Sequence, residues 1–252
     1  MNQLATSFEG INESTLLLIP CCKKKVAGGL PQISAEDPLE QVVSVYSTEE
    51  LHRARHRLID ELLQNGEGNV DPASKLTEVC MGKEFGRHER NGKYRAAIDR
   101  YAGGLYSASK NFSPLVASHT NNSGQPHLLI LSALYGPLHP LSPIQDYNVK
   151  MSDSRAFRAW RESFGGFLAS YVKANGIQDV RMFFGTSTAY LKVCLQAVNP
   201  LLRSGDLEQA FQYHVVNGNA YHTPHNHGLL VAAALLGFEG CALTREIVIN
   251  QI

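Results

Sequence analysis

Ser132, Tyr135, Asp146 and Tyr147 lie within the stretch LLILSALYGPLHPLSPIQDYNVKM, running from Leu128 to Met151. They bring hydroxyls and a carboxylate to the end of an apolar run. A carboxylate among hydroxyls suits acid/base work or the stabilisation of an oxocarbenium ion. Cys21 supplies a thiol able to act as a nucleophile, and Tyr106 places a phenol just after Gly103-Gly104, where backbone can approach a partner closely. These six residues form a candidate catalytic set for chemistry on a nucleobase or nucleotide, such as glycosidic-bond hydrolysis or base exchange. Asp146 would be the acid/base or oxocarbenium stabiliser and Cys21 the nucleophile, with Ser132, Tyr135 and Tyr147 positioning the substrate. Each also has a structural reading: Asp146 as a turn cap, Tyr135 and Tyr147 as buried rings, Cys21 as an inert residue beside a strand.

A second set of residues suits phosphate. Lys23, Lys24 and Lys25 follow the cysteine pair at a strand end, where they create a local positive field. Residues 82–110 are the most basic part of the chain, with Arg95, Arg100 and Lys110 interleaved with Tyr94, Tyr101 and Tyr106. Guanidinium and ammonium groups meet phosphates while aromatic faces stack on bases, so this mixture suits nucleic acid. It equally describes a solvated basic surface with a tyrosine-bearing core edge. Gly185, Thr186 and Ser187 stand at a strand-to-helix join and can offer backbone N–H groups to a phosphate, although without the spacing of a nucleotide-binding fingerprint. His52 and His56 are four apart, and His222, His225 and His227 fall within six residues. Neither group has the accompanying carboxylates or cysteines of a metal centre, so no metal and no cofactor are expected.

The elements that must position these groups are legible from pattern. TLLLI at residues 15–19 reads as a buried strand ended by Pro20, HLLIL as a second and VRMFF at 180–184 as a third. Charged amphipathic sequence from Ser34 to Gln64 reads as helical, with Ser47 and Glu50 as a capping box. A break at 65–69 and a restart at Asp71-Pro72 follow. Phe157, Trp160, Phe164, Phe167, Leu168 and Tyr171 form a core stripe on a helix from Ser154 to Ala174, and another helix begins near Thr188 or Ala189. The turn Asn217-Gly218-Asn219 suggests a hairpin returning through Tyr221. Pro224 argues against a helix across the histidines, and a buried helix runs from Gly228 to Gly237.

Bulk properties set the frame. The chain has 252 residues, 44% hydrophobic and 18% charged, which suits one globular α/β domain over 1–252, with 205–252 its least defined part. The central sheet is expected to be mixed or mostly parallel, with helices flanking it. Lys plus Arg and Asp plus Glu both total 23, so nucleic-acid binding has no support from net charge and must rest on local patches. Five cysteines without C-x-x-C spacing argue against a disulfide framework or zinc. The start lacks a basic and then apolar leader, and no apolar run reaches spanning length, which favours a cytoplasmic protein away from membranes. Oligomeric state is not legible.

Several segments resemble the peroxide stress protein YaaA family. LLLIPCCKKK is similar to the family's first strand and lysine-bearing loop, and YAGGLY at 101–106 to its aromatic-Lys-Gly-Asp-Val-Tyr element. The most specific likeness is Leu-Ser-x-Leu-Tyr-Gly-x-Leu-x-Pro-Leu, continuing to Tyr147 and Met151. Trp160 and a strand leading to Tyr190 follow in the family's order. The chain departs from the pattern at Gly104, Asn148 and Lys150, and at residues 222–228, where histidines replace permanent charges. Cys21 to Lys25 is similar to a looser group with a Cys-Ser-x-x-Lys loop and a Ser-x-x-Tyr-Gly turn. The resemblance implies a single YaaA-like α/β domain, a cytosolic role in protection against hydrogen peroxide, and binding of duplex DNA along a positive cleft.

Overall fold

A computed structural model describes residues 10–31, 36–64, 74–120, 124–219, 222–236 and 246–252. The expected helix start at Ser34, the break at 65–69, the Asp71-Pro72 restart, Tyr221, Gly237 and Cys241 lie outside them. In chain order the strands are β1 (Thr15–Pro20), β2 (Arg95–Ala96), β3 (His127–Ser132), β4 (Gly136–Leu138), β5 (Pro143–Ile144), β6 (Asp179–Met182), β7 (Gln209–Val215) and β8 (Ile247–Gln251). The helices are α1 (Pro38–Gln41), α2 (Val45–Gln64), α3 (Ala97–Arg100), α4 (Phe112–His119), α5 (Ser154–Asn175), α6 (Ala189–Ser204) and α7 (His222–Leu236).

The central sheet has six strands in the order β4-β3-β1-β6-β7-β8. β3, β1, β6 and β7 run parallel, and the antiparallel β4 and β8 close the two edges. This is the mostly parallel α/β sheet flanked by helices that the apolar runs predict. Leu16 to Ile19 and Leu128 to Leu131 are all 2% exposed or less, because helices cover both faces of the inner strands. The aromatic stripe of α5 is buried as expected, with α5 lying between α2 and α6. α4 instead contacts α7, which lies on β7. Among the described residues no helix is long and apolar enough to cross a membrane.

Three local readings need correction. Ser47 does not cap α2: the helix already begins at Val45, and it is the Ser44 hydroxyl that accepts the Ser47 N–H, at 3.2 Å. Among the described residues no hairpin returns after residue 219. β7 pairs antiparallel only with β8, and α7 begins at His222. The histidine stretch is therefore helical despite Pro224, which sits in the first turn, where a missing N–H breaks no intrahelical bond. The Asn219 side-chain oxygen accepts the His222 N–H at 2.9 Å and so helps start that helix.

A smaller layer closes over the C-terminal ends of β1 and β3. Its two-stranded sheet pairs β2 with β5, and single bridges join Lys25 to Tyr101 and Leu30 to Tyr94. The lysine loop is thereby laid along residues 93–101.

Candidate functional site

Parallel pairing sets Pro20 opposite Leu131, and Cys21 extends the register by donating its N–H to the Leu131 carbonyl at 2.9 Å. The Cys21 side chain then lies between two phenols, with Sγ 3.0 Å from Tyr190 Oη and 3.7 Å from Tyr147 Oη. Tyr147 Oη is also 2.7 Å from Ser132 Oγ and 2.8 Å from Tyr101 Oη. Ser132 Oγ already accepts the Tyr135 N–H at 2.9 Å, so its own proton is available to Tyr147. With Ser132 and Tyr101 donating, the single Tyr147 proton points at the thiol sulfur. Burial pushes the Tyr101, Tyr147 and Tyr190 phenols well above their ordinary range, which keeps all three protonated as donors.

Lys25 covers this cluster. Its ammonium stands 4.0 Å from the Tyr147 ring centroid and 5.5 Å from that of Tyr101, and it donates to the Cys22 carbonyl at 3.0 Å. Burial lowers its pKa, and the tyrosine faces offset part of the lost hydration. Cys22 points the other way: its sulfur accepts the Gly103 N–H at 3.1 Å and donates to the Lys24 carbonyl at 2.9 Å. Burial pushes that thiol up to about 11, so it serves as a neutral clasp for the loop. Gly103 is required there, because a Cβ would fall 2.8 Å from Cys22 Cβ.

The remaining expected residues divide by position. Tyr106 adjoins the cluster through its ring, 5.2 Å from Tyr101, but its hydroxyl is held by the Pro20 carbonyl at 2.8 Å. Tyr135 is wholly buried and accepts the Gln145 N–H at 3.1 Å, so it braces the Tyr147 ring 5.5 Å away. Asp146 lies on the rim, 2.5 Å from Lys75 Nζ. Gly185, Thr186 and Ser187 follow β6, with Thr186 and Ser187 exposed. The Gly185 carbonyl accepts the Thr188 N–H at 3.1 Å, and Thr188 caps α6.

Lys23, Lys24, Arg95 and Lys110 are exposed. Arg100 is enclosed at 0% exposure, and its guanidinium donates to the carbonyls of Val26 at 2.5 Å, Gly28 at 2.8 Å, Lys93 at 2.7 Å and Ile144 at 3.2 Å. That geometry makes it the clamp of the lysine loop and leaves no face for a phosphate. Among the histidines, His52 Nε2 lies 3.1 Å from Glu40, and His56 Nε2 lies 3.1 Å from Asp60.

Two members of the site were given no site role from sequence. Tyr190 sits in the first turn of α6, and the strand-to-helix join at 185–188 is the signal that brings it to the strand ends. Lys75 takes a left-handed backbone, φ 57°, that sequence pattern does not announce.

A family model described as peroxide stress protein YaaA matches residues 15–194, which run from the first residue of β1 into α6 and include every residue of the cluster. No curated protein matches the chain.

Proposed function

The chain belongs to the peroxide stress protein YaaA family, and on that footing we propose that it is a cytoplasmic stress-response protein that binds duplex DNA, or a nucleotide of the same phosphate chemistry, at the strand-end cap. Lys23, Lys24 and Arg95 are the phosphate ligands of this reading, and Lys25 with the Tyr101–Tyr147 pair forms the floor beneath them. One observation carries it: the lysine loop is tied to residues 93–101 by Val26 N–H to Arg100 O at 2.8 Å and by the buried Arg100 guanidinium. The loop that carries the exposed Lys23 and Lys24 is thus fixed against the segment that carries the exposed Arg95, and Arg95 Nη2 lies 3.9 Å from where a Cβ on Gly28 would be. A preorganised set of cations binds phosphate without first ordering a loop.

Titrating duplex DNA at several salt concentrations tests the proposal. Wild type is expected to lose affinity steeply with salt, and Lys23→Ala/Lys24→Ala to reduce the slope of log K against log salt by about 2, near 0.9 for each lost contact. Affinity that ignores salt, or a double variant identical to wild type, overturns it.

A second reading rests on the Cys21 sulfur, held 3.0 Å from Tyr190 Oη at the strand ends. There the protein acts on a nucleobase or nucleotide, with Cys21 as nucleophile and the Lys75-paired Asp146 handling the proton. Cys21→Ser and Asp146→Asn proteins assayed against nucleosides and modified DNA decide it, and unchanged behaviour in both removes the reading.

A further inference from the structure

Away from the strand ends, α2 and α5 diverge around a cavity of about 530 Å³ that reaches Pro137 on β4. Small-molecule sites commonly fall between about 300 and 1,000 Å³. Leu51, Phe167, Phe164 and Trp160, all buried, make its apolar floor, and Tyr46, 69% exposed, lines its open side. One wall is a chain of hydroxyls. Ser44 Oγ lies 2.9 Å from Ser47 Oγ, and Ser47 donates to Ser170 Oγ at 2.7 Å. Among the described residues the Ser170 proton has no acceptor, so it is free to donate into the cavity. The rim carries both signs, Glu50 and Glu162 against Arg57, and Glu50 is already paired with Arg53. No net field there selects an ion.

Gly165 and Gly166 interrupt the middle of α5, the least favourable helix-interior choice after proline. Gly165 faces α6, where a Cβ would make an ordinary van der Waals contact with Ala197 Cα at 3.9 Å. Gly166 has no such contact: a Cβ there meets nothing within 4 Å, and the residue lines the cavity. Its missing side chain keeps the mouth open.

We propose that this cavity binds a neutral aromatic small molecule bearing a hydroxyl or amide group, its ring on the Leu51–Phe167 floor and its polar group on Ser170. The site is independent of the cationic cap. Trp160, the one tryptophan of the chain, adjoins the cavity and reports on occupancy. 7-Amino-4-methyl-2-quinolinone, a neutral aromatic lactam whose amide carbonyl can accept from Ser170, serves as probe, read by energy transfer from Trp160. Saturable single-site binding is expected for wild type. Gly166→Leu, whose Cβ meets no neighbour and which favours the helix, should weaken the probe at least ten-fold while leaving the melting temperature unchanged or higher. Tyr46→Ala, on the open side, should weaken it several-fold, and Lys23→Ala/Lys24→Ala should leave it unchanged. Absence of saturable binding to wild type, or wild-type affinity in Gly166→Leu, overturns the proposal.

Discussion

Replacing Arg100 by methionine separates a clamp from a ligand. The substitution keeps the apolar stem and removes a guanidinium that serves four carbonyls on three segments, at Val26, Gly28, Lys93 and Ile144. Hydrogen bonds from a charged donor contribute about 1.5–3 kcal/mol each, but removing a buried cation also relieves several kcal/mol of desolvation. Val26, Gly28 and Lys93 are exposed, so their carbonyls regain water, whereas Ile144 at 0% exposure does not. The balance is a loss of about 3 kcal/mol, or roughly 6–12 °C in melting temperature for a chain of this size. Hydrogen exchange should quicken at the Val26, Leu30 and Ala102 amides, which bond to Arg100, Tyr94 and Lys24 carbonyls. DNA affinity should fall through loop disorder, with the salt slope kept, because no phosphate contact is deleted. A variant that melts like wild type and loses about one unit of slope would falsify the clamp and make Arg100 a phosphate ligand.

Tyr147→Phe deletes the hydroxyl shared by Ser132, Tyr101 and Cys21, and should cost about 1–2 kcal/mol, seen as a lower urea midpoint at constant m-value. An unshifted midpoint would show that this hydrogen-bonded hub adds nothing to stability. Gly136→Ala should cost at least about 3 kcal/mol, since Gly136 has φ +68° and a Cβ there would lie 2.3 Å from Trp160 Cζ3; near-wild-type melting refutes the close approach. Burial lowers the His227 ring from 6.5 to about 4, while its Nε2 donates to the Tyr213 carbonyl at 2.9 Å. Between those values the unfolded chain binds the extra proton, so stability falls as pH drops from about 6.5 toward 4, by up to about 3 kcal/mol. His227→Asn should shrink the difference between urea midpoints at pH 7.5 and 4.5, and an undiminished difference would place the effect elsewhere.

The sheet was legible because its signals are local. TLLLI and HLLIL are apolar at every position, which only a strand covered on both faces tolerates, and the α5 aromatics recur at helical spacing. The cluster was legible in part. Cys21, Ser132 and Tyr147 meet because β1 and β3 end together, and a strand ending in polar residues marks such a place in α/β folds. Tyr190 and Lys75 escaped because their approach depends on how a helix start and a left-handed residue are aimed, which periodicity does not encode. Arg100 escaped for the opposite reason: an arginine among basic residues reads as surface, and only the tertiary pairing of residues 26–30 with 93–100 shows that its charge is spent inside.

This division also changes the meaning of the Leu-Ser-x-Leu-Tyr-Gly stretch. The Ser132 hydroxyl closes the turn by accepting the Tyr135 N–H and faces Tyr147 in the cluster. Tyr135 and Gly136 serve the turn itself. The Tyr135 and Pro137 carbonyls accept from the buried Arg55 at 2.7 and 3.2 Å, Trp160 donates to Ala133 O at 2.9 Å, and Gly136 admits the indole. Arg55 comes from α2 and Trp160 from α5, so both helices are tied to the turn that aims Ser132. A substitution in that stretch therefore acts on the thiol cluster in one of two ways. Ser132→Ala removes a donor that faces Tyr147, whereas a change at Gly136 shifts the Trp160 and Arg55 supports and reaches Cys21 only through the turn.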